Sequence, residues 1–308
     1  MIDQQAAAAS GWRDRHWQTD DGLQLHYRDY AGPEGSDEIP ALCVPGLTCN
    51  VRDFHDLAMH LAMRRRVVTV DLRGRGDSEY AKDSGTYIPL QYAQDVQRLF
   101  PAAGMEQAVL VGSSLGGLVT MVLAMMEPQR IAGVVLNDIG PVVELRGLER
   151  IAEYVGLQRS YPTWMHAARA MQDTRKGVYP DWGLSDWLAE AKRAMELGGN
   201  GRITYDYDMR IGDAFASGRG QDKMAEAAKI EFWDGFDALA GKPVLVVRGE
   251  NSDILSGRTA RDMVDRFADV ELVSIGRVGH LPTLAEADAL AAIDRLFDER
   301  LPSARADR

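Results

Sequence analysis

Between residues 108 and 126 the chain passes through three segments: Ala108-Val109-Leu110-Val111, then Gly112-Ser113-Ser114-Leu115-Gly116-Gly117, then the apolar run Leu118–Met126, with no helix breaker before Pro128. The first segment is short and β-branched, which predicts a buried strand. The third, rich in Leu, Met and Ala, predicts a helix. Between them lies G-x-S-x-G. A sharp strand-to-helix turn needs small residues on both sides of its apex, and Gly112 and Gly116 let neighbouring backbones approach there. Ser114 is thereby pushed up at the turn. The N–H groups that open the following helix point to where an oxyanion would form.

Motifs of this length recur by chance in a chain with 30 glycines, so context carries the reading. The 308 residues can bury a large core. A hydrophobic content of 45% with 26% charged residues is that of a soluble globular protein. A net charge of −11 argues against a nucleic-acid partner. No basic stripe is concentrated anywhere, and Arg73-Gly74-Arg75-Gly76 reads as a turn after a strand. Cys43 and Cys49 are too few for a metal site or a disulfide framework, and Cys43 is expected as a buried thiol in a reducing compartment. The N-terminus shows no signal-peptide pattern and no apolar run reaches membrane-spanning length. A cytoplasmic protein acting on a small molecule, as a monomer or a homodimer, is the expectation.

Residues 1–12 are expected to form a loose arm. Asp21-Gly22 between Arg13–Gln18 and Leu23–Tyr30 predicts a hairpin. Strands follow at Ala41–Val44, Arg66–Val70, Ala108–Val111, Val134–Leu136, Pro243–Arg248 and Val270–Ile275. Helices are expected at Phe54–Met63, Leu90–Leu99, after Ser114, at Ala260–Phe267 and at Leu284–Phe297. Such alternation gives an α/β fold, a mostly parallel sheet covered on both faces, with ligands at the carboxyl ends of the strands. The alternation stops from 141 to 233. That stretch shows no clear buried strand and holds Tyr154, Tyr161, Trp164, Met165, Met171, Trp182 and Trp187. It reads as a helical cap (lid) inserted between the two parts of the core domain, 1–140 and 234–308. Its aromatics suggest a mostly apolar roof, with Trp164, Met165 and Trp187 as pocket candidates. Tyr205-Asp206-Tyr207-Asp208 reads as a solvated loop rather than a metal site. Gly241-Lys242 fails as a phosphate loop because Pro243 follows.

A serine hydroxyl is a poor nucleophile at neutral pH. It needs a base in contact and an acid that fixes the base's tautomer. Of six histidines, His280 lies in a loop after a late strand and after a candidate acid. The acid is expected to be Asp253, in the loop after Pro243–Arg248, with Glu250 as competitor. Glu250 lies close to the strand end for reaching outward. The order Ser114, Asp253, His280 suits a strand–elbow–helix hydrolase. The oxyanion donors are expected to be the N–H groups of Leu47, after the Pro45-Gly46 turn, and Leu115.

With these residues in place the chain resembles the α/β-hydrolase superfamily. Pro45-Gly46-Leu47, Asp71–Ser78, Gly112–Gly117, Gly249–Asp253 and Gly279-His280 carry the likeness over nearly the whole length. The resemblance implies an eight-stranded sheet, a cap after the sixth strand, and a triad of Ser114, His280 and Asp253, with no metal or organic cofactor. One departure is Pro45-Gly46 where many members have His-Gly, which bears on the shape of the oxyanion loop. Members with Asp at the elbow, such as haloalkane dehalogenases and epoxide hydrolases, are disfavoured by Ser114. The expected activity is hydrolysis of esters or lactones of small, largely apolar acids. The alternatives are C–C hydrolysis of diketone-type intermediates of aromatic degradation, a slow-turnover ligand-binding protein on the same fold, and cofactor-free perhydrolysis.

Overall fold

The computed structural model describes residues 11–215 and 231–301. Most of the expected loose arm, 1–10, and part of the expected cap, 216–230, lie outside the described residues. Within them, β1 (Arg13–Gln18) and β2 (Gln24–Tyr30) form the antiparallel hairpin. β3 (Ala41–Val44), β4 (Val67–Val70), β5 (Ala108–Ser113) and β6 (Ile131–Asn137) follow. β7 (Ser160–Tyr161), β8 (Met195–Leu197) and β9 (Ile203–Tyr205) lie in the insert, and β10 (Val244–Gly249) and β11 (Val270–Ile275) resume the main sheet. That sheet has eight strands in the order β1-β2-β4-β3-β5-β6-β10-β11. From β4 to β11 all neighbouring strands pair in parallel, and β2 meets β4 antiparallel.

Alternation along the strands sorts side chains onto two faces. In β5, Ala108 and Leu110 join one core, while Val109 and Val111 join the other. In β10, Val244 and Val246 face the first core, and Leu245 and Val247 the second. The helices Pro89–Ala102, Leu115–Met126 and Gly257–Arg266 cover one face, and His55–Leu61 and Ala287–Arg295 the other. Burial on both sides is why the central strands read as unbroken apolar runs.

The segment after β6 has a core of its own, built from Ala167, Ala168, Met171, Trp187, Ala191, Met195 and neighbours. It contains the helices Trp164–Arg175 and Leu184–Ala194 and also a small antiparallel sheet, β7-β9-β8. The sequence showed no clear buried strand in 141–233, and these short strands are mostly exposed or half-buried, but they add a small sheet to the expected all-helical insert. Strands of two or three residues are too short to display a period of two. The Gly198–Gly201 turn, closed by Gly198 N–H donating to the Arg202 carbonyl at 2.8 Å, was the available signal. Asp206 and Asp208 are buried rather than solvated, paired with Arg52 and Arg210.

Candidate active site

The backbone at Ser114 has a φ of 50°, a conformation costly for a residue with a Cβ. Packing holds it there. The Ser114 N–H donates to the Asn137 carbonyl at the end of β6 (2.9 Å), and the chain turns at once into the helix Leu115–Met126. The flanking glycines are steric requirements. A Cβ on Gly112 would stand 2.6 Å from the Gly116 carbonyl oxygen, and one on Gly116 would stand 1.9 Å from that of Val44.

Ser114 Oγ lies 2.9 Å from His280 Nε2. The partner of His280 Nδ1 is Asp138 Oδ2, at 2.8 Å, not Asp253. Asp138 follows β6 directly and is fully buried. Its Oδ1 accepts from Gly249 N–H at 2.8 Å, and its Oδ2 also accepts from Ser252 Oγ at 2.6 Å. The loop after β10 thus contributes Ser252, which orients Asp138, while Asp253 turns to the insert. There Asp253 accepts twice from Arg150, at 2.5 and 2.8 Å. Burial pushes the Asp253 carboxyl up, the Arg150 guanidinium more than offsets this, and the net shift is downward. Glu250, the competing candidate, accepts from the Arg277 N–H instead. Asp138 carried a signal of its own, an aspartate just beyond the apolar run Val134–Leu136, after Asn137, and shortly before Gly140-Pro141. A neutral imidazole bonded through Nδ1–H to Asp138 leaves Nε2 free to take a proton from the Ser114 hydroxyl.

Around Leu47 the turn is fixed from two sides. The Gly46 carbonyl accepts from Cys49 N–H at 3.3 Å, so the N–H across the same peptide, that of Leu47, points the other way. The Leu47 carbonyl accepts from Arg75 Nε at 3.0 Å. Arg73 and Arg75 are both fully buried, and Arg73 donates to Asp95 and Asp21. The Arg-Gly-Arg-Gly stretch therefore props the site from beneath. Leu115 opens its helix, so its N–H has no intrahelical acceptor.

Ser114, His280, Leu47 and Asn137 line a cavity of about 100 Å³. Its far wall comes from the insert and is charged. Arg150, Arg175, Glu190 and Arg193 are there, with Asp53 beside them. Trp164, Met165 and Trp187 do not line it. Trp187 is fully buried in the insert's own core, 4.9 Å between ring centroids from Trp182, Trp164 packs against that core, and Met165 is exposed. A helix presents its aromatic stripe to its nearest apolar partner, here the neighbouring helix. The apolar part of the roof comes instead from Ile151, Tyr154, Val178 and Tyr179, beside the charged residues. Burial, reinforced by the Glu190 carboxylate, pushes Asp53 up to about 7. Burial pushes the Cys49 thiol well above its ordinary value, which disfavours the thiolate.

The insert is tied down over the site. Gly279 N–H donates to the Val178 carbonyl at 2.7 Å, Tyr179 OH donates to the Leu281 carbonyl, and Asn50 Nδ2 donates to the Arg193 carbonyl at 3.0 Å. Of a group of potential metal ligands among the described residues, His26, Asp71 and Asp77, the first two are bonded to protein partners. His26 bonds Asp71 and Asp14, and Asp71 also accepts from the N–H groups of Val51 and Asp77. Among the described residues no helix is long and apolar enough to cross a membrane.

Residues 40–287 match the family described as alpha/beta hydrolase fold. An alpha/beta hydrolase from Novosphingobium aromaticivorans has a crystal structure that aligns with a TM-score of 0.85 at 51% identity, covering 93% of this chain and 98% of that one. A 3-hydroxybutyrate-oligomer hydrolase of Cupriavidus necator is 30% identical over 89% of this chain and 92% of its own length. A 2-(acetamidomethylene)succinate hydrolase of Mesorhizobium japonicum is 28% identical over 76% of this chain and 79% of its own.

Proposed function

The chain belongs to the alpha/beta hydrolase fold family, and on that premise we propose that it is a serine hydrolase of the carboxylesterase or lactonase type that cleaves esters of small acids through an acyl-enzyme intermediate. The observation that carries this reading is the continuous hydrogen-bonded line from Ser114 Oγ through His280 to Asp138, at a strained elbow opening on a cavity. Ser114 Oγ attacks the ester carbonyl and its proton passes to His280 Nε2. The new oxyanion accepts from the N–H groups of Leu47 and Leu115. The alcohol departs with the proton from His280. Water then gives a proton to His280, attacks the acyl carbonyl and releases the acid. Asp138, bonded to His280 Nδ1, orients the ring and stabilises the imidazolium. The insert 141–233 serves as the cap that excludes bulk water and shapes the acyl site.

The relative that acts on hydroxybutyrate oligomers supports ester bonds as the target class. Stopped-flow hydrolysis of p-nitrophenyl esters of increasing acyl length tests the reading. The expected result is a burst of nitrophenol, then steady turnover, both abolished in Ser114→Ala and His280→Ala. Absence of a burst and of turnover with every ester would overturn it and bring C–C hydrolysis of diketones forward.

A further inference from the structure

The cavity wall carries three arginines, and their bonding differs. Arg150 is committed to Asp253 by two short hydrogen bonds, and Arg193 donates to Asp56 Oδ2 at 2.8 Å. Arg175, the last residue of its helix, makes no side-chain hydrogen bond among the described residues. Glu190 is its nearest carboxylate. It stands 3.8 Å from Arg175 and 3.7 Å from Arg193, beyond hydrogen-bond reach of both. The Arg175 guanidinium also sits 5.0 Å from the Tyr154 ring centroid, and only 18% of its side chain is exposed. The Arg175 guanidinium thus lines the cavity shared with Ser114, removed from most solvent and without a hydrogen-bonded acceptor among the described residues.

Nearby Glu190 and the Tyr154 ring favour the charged guanidinium, while its donors keep hydrogen-bonding capacity for a ligand in the cavity. A guanidinium is the side chain best shaped to take a carboxylate through two parallel bonds. Of the three arginines in the lining, Arg150 and Arg193 are neutralised by Asp253 and Asp56, which leaves Arg175 as the one without a hydrogen-bonded carboxylate among the described residues. Arg175, Cys49 and Ser114 line one cavity, and the Arg175 charge is felt at Cys49.

We propose that Arg175 is a specificity-determining residue that binds a free carboxylate of the substrate, so that the preferred substrates are esters carrying an acid group a few bonds from the scissile carbonyl. The inference rests on the ester-hydrolase reading above. The acid can stand on the acyl side or on the alcohol side of the ester, and two matched pairs separate these cases. Monomethyl succinate is compared with methyl isocaproate, in which an isopropyl group replaces the carboxylate. β-Acetoxypropionate is compared with isoamyl acetate in the same way.

The native enzyme is expected to favour the charged member of one pair by about 10- to 100-fold in kcat/KM, the worth of one hydrogen-bonded charge pair. In Arg175→Gln that ratio collapses toward one, and in Arg175→Lys, which keeps the charge but not the fork, it recovers in part. Ratios at or below one for both pairs in the native enzyme overturn the proposal. So does an Arg175→Gln variant in which both members of a pair fall equally, the mark of a structural role. The two readings fail separately. Turnover of the neutral esters that depends on Ser114, without a charged preference, keeps the hydrolase and removes Arg175. If no ester turns over, calorimetric titration of monomethyl succinate decides. Binding weakened about 10- to 100-fold by Arg175→Gln sustains the carboxylate site, and no binding to the native protein removes it.

Discussion

Replacing Asp138 and Asp253 by asparagine in parallel tests which carboxylate serves His280. At Asp138, Oδ1 accepts from Gly249 N–H, and Oδ2 accepts from both Ser252 Oγ and His280 Nδ1. An asparagine keeps the shape. Its carbonyl retains the bond from Gly249, which places the NH2 group against His280. That group can only donate, so Nδ1 becomes the acceptor and the ring proton moves to Nε2. Nε2–H then points at Ser114 and cannot take its proton. A wrong tautomer of this kind lowers kcat by about 10³- to 10⁴-fold, or roughly 4–5.5 kcal/mol of barrier. Asp253→Asn instead breaks an ion pair with Arg150 whose partners are 18% and 26% exposed. Its effect on kcat should stay below about tenfold, with a stability loss of about 1 kcal/mol, because partial exposure screens the pair. The assay is steady-state hydrolysis of a p-nitrophenyl ester, with thermal melts to show that both variants fold. An Asp253→Asn variant as impaired as Asp138→Asn, or more so, would refute the assignment.

Two further outcomes follow from the packing. Gly116→Ala should lower stability by about 1–3 kcal/mol in urea unfolding and depress kcat together, because the new Cβ would fall 1.9 Å from the Val44 carbonyl and displace the Pro45–Leu47 turn; unchanged activity would show that the turn takes no part. At His26, burial alone would lower the imidazole pKa, but the Asp71 carboxylate at 2.7 Å outweighs it and the net shift is upward. Its contribution is therefore fully present below the unfolded value of about 6.5 and is lost as pH rises through the higher folded value. Unfolding midpoints of the native protein should fall across that window relative to His26→Gln, and parallel curves would contradict the coupling.

Much of the fold was legible because its signals are local. Strand periodicity, the Asp21-Gly22 turn and the glycines around Ser114 are fixed by sterics within a few residues of themselves. That Ser114 stands at a strand-to-helix turn, and that His280 follows the last strand, can be read from the order of the chain alone. Which aspartate meets His280 could not be. β6 and β10 are parallel neighbours, with Asn137 opposite Val247, so Asp138 and the Glu250–Leu255 loop emerge side by side at one edge of the sheet. Both carry a carboxylate at the right end of a strand. The choice fell to a residue far away in sequence: Arg150, from the insert, draws Asp253 outward, while Ser252 and Gly249 turn Asp138 inward. The cavity wall was hidden for the same reason. Trp187 and Arg175 lie on neighbouring helices of the insert, and only the docking of those helices buries the tryptophan in their own core and leaves the arginine lining Ser114's cavity. Local sequence decides which elements form and where the reactive turn stands, since those depend on short-range sterics. Side-chain partnership across more than a hundred residues depends on where charges find their counter-ions once the chain has closed, and only the tertiary structure settles that.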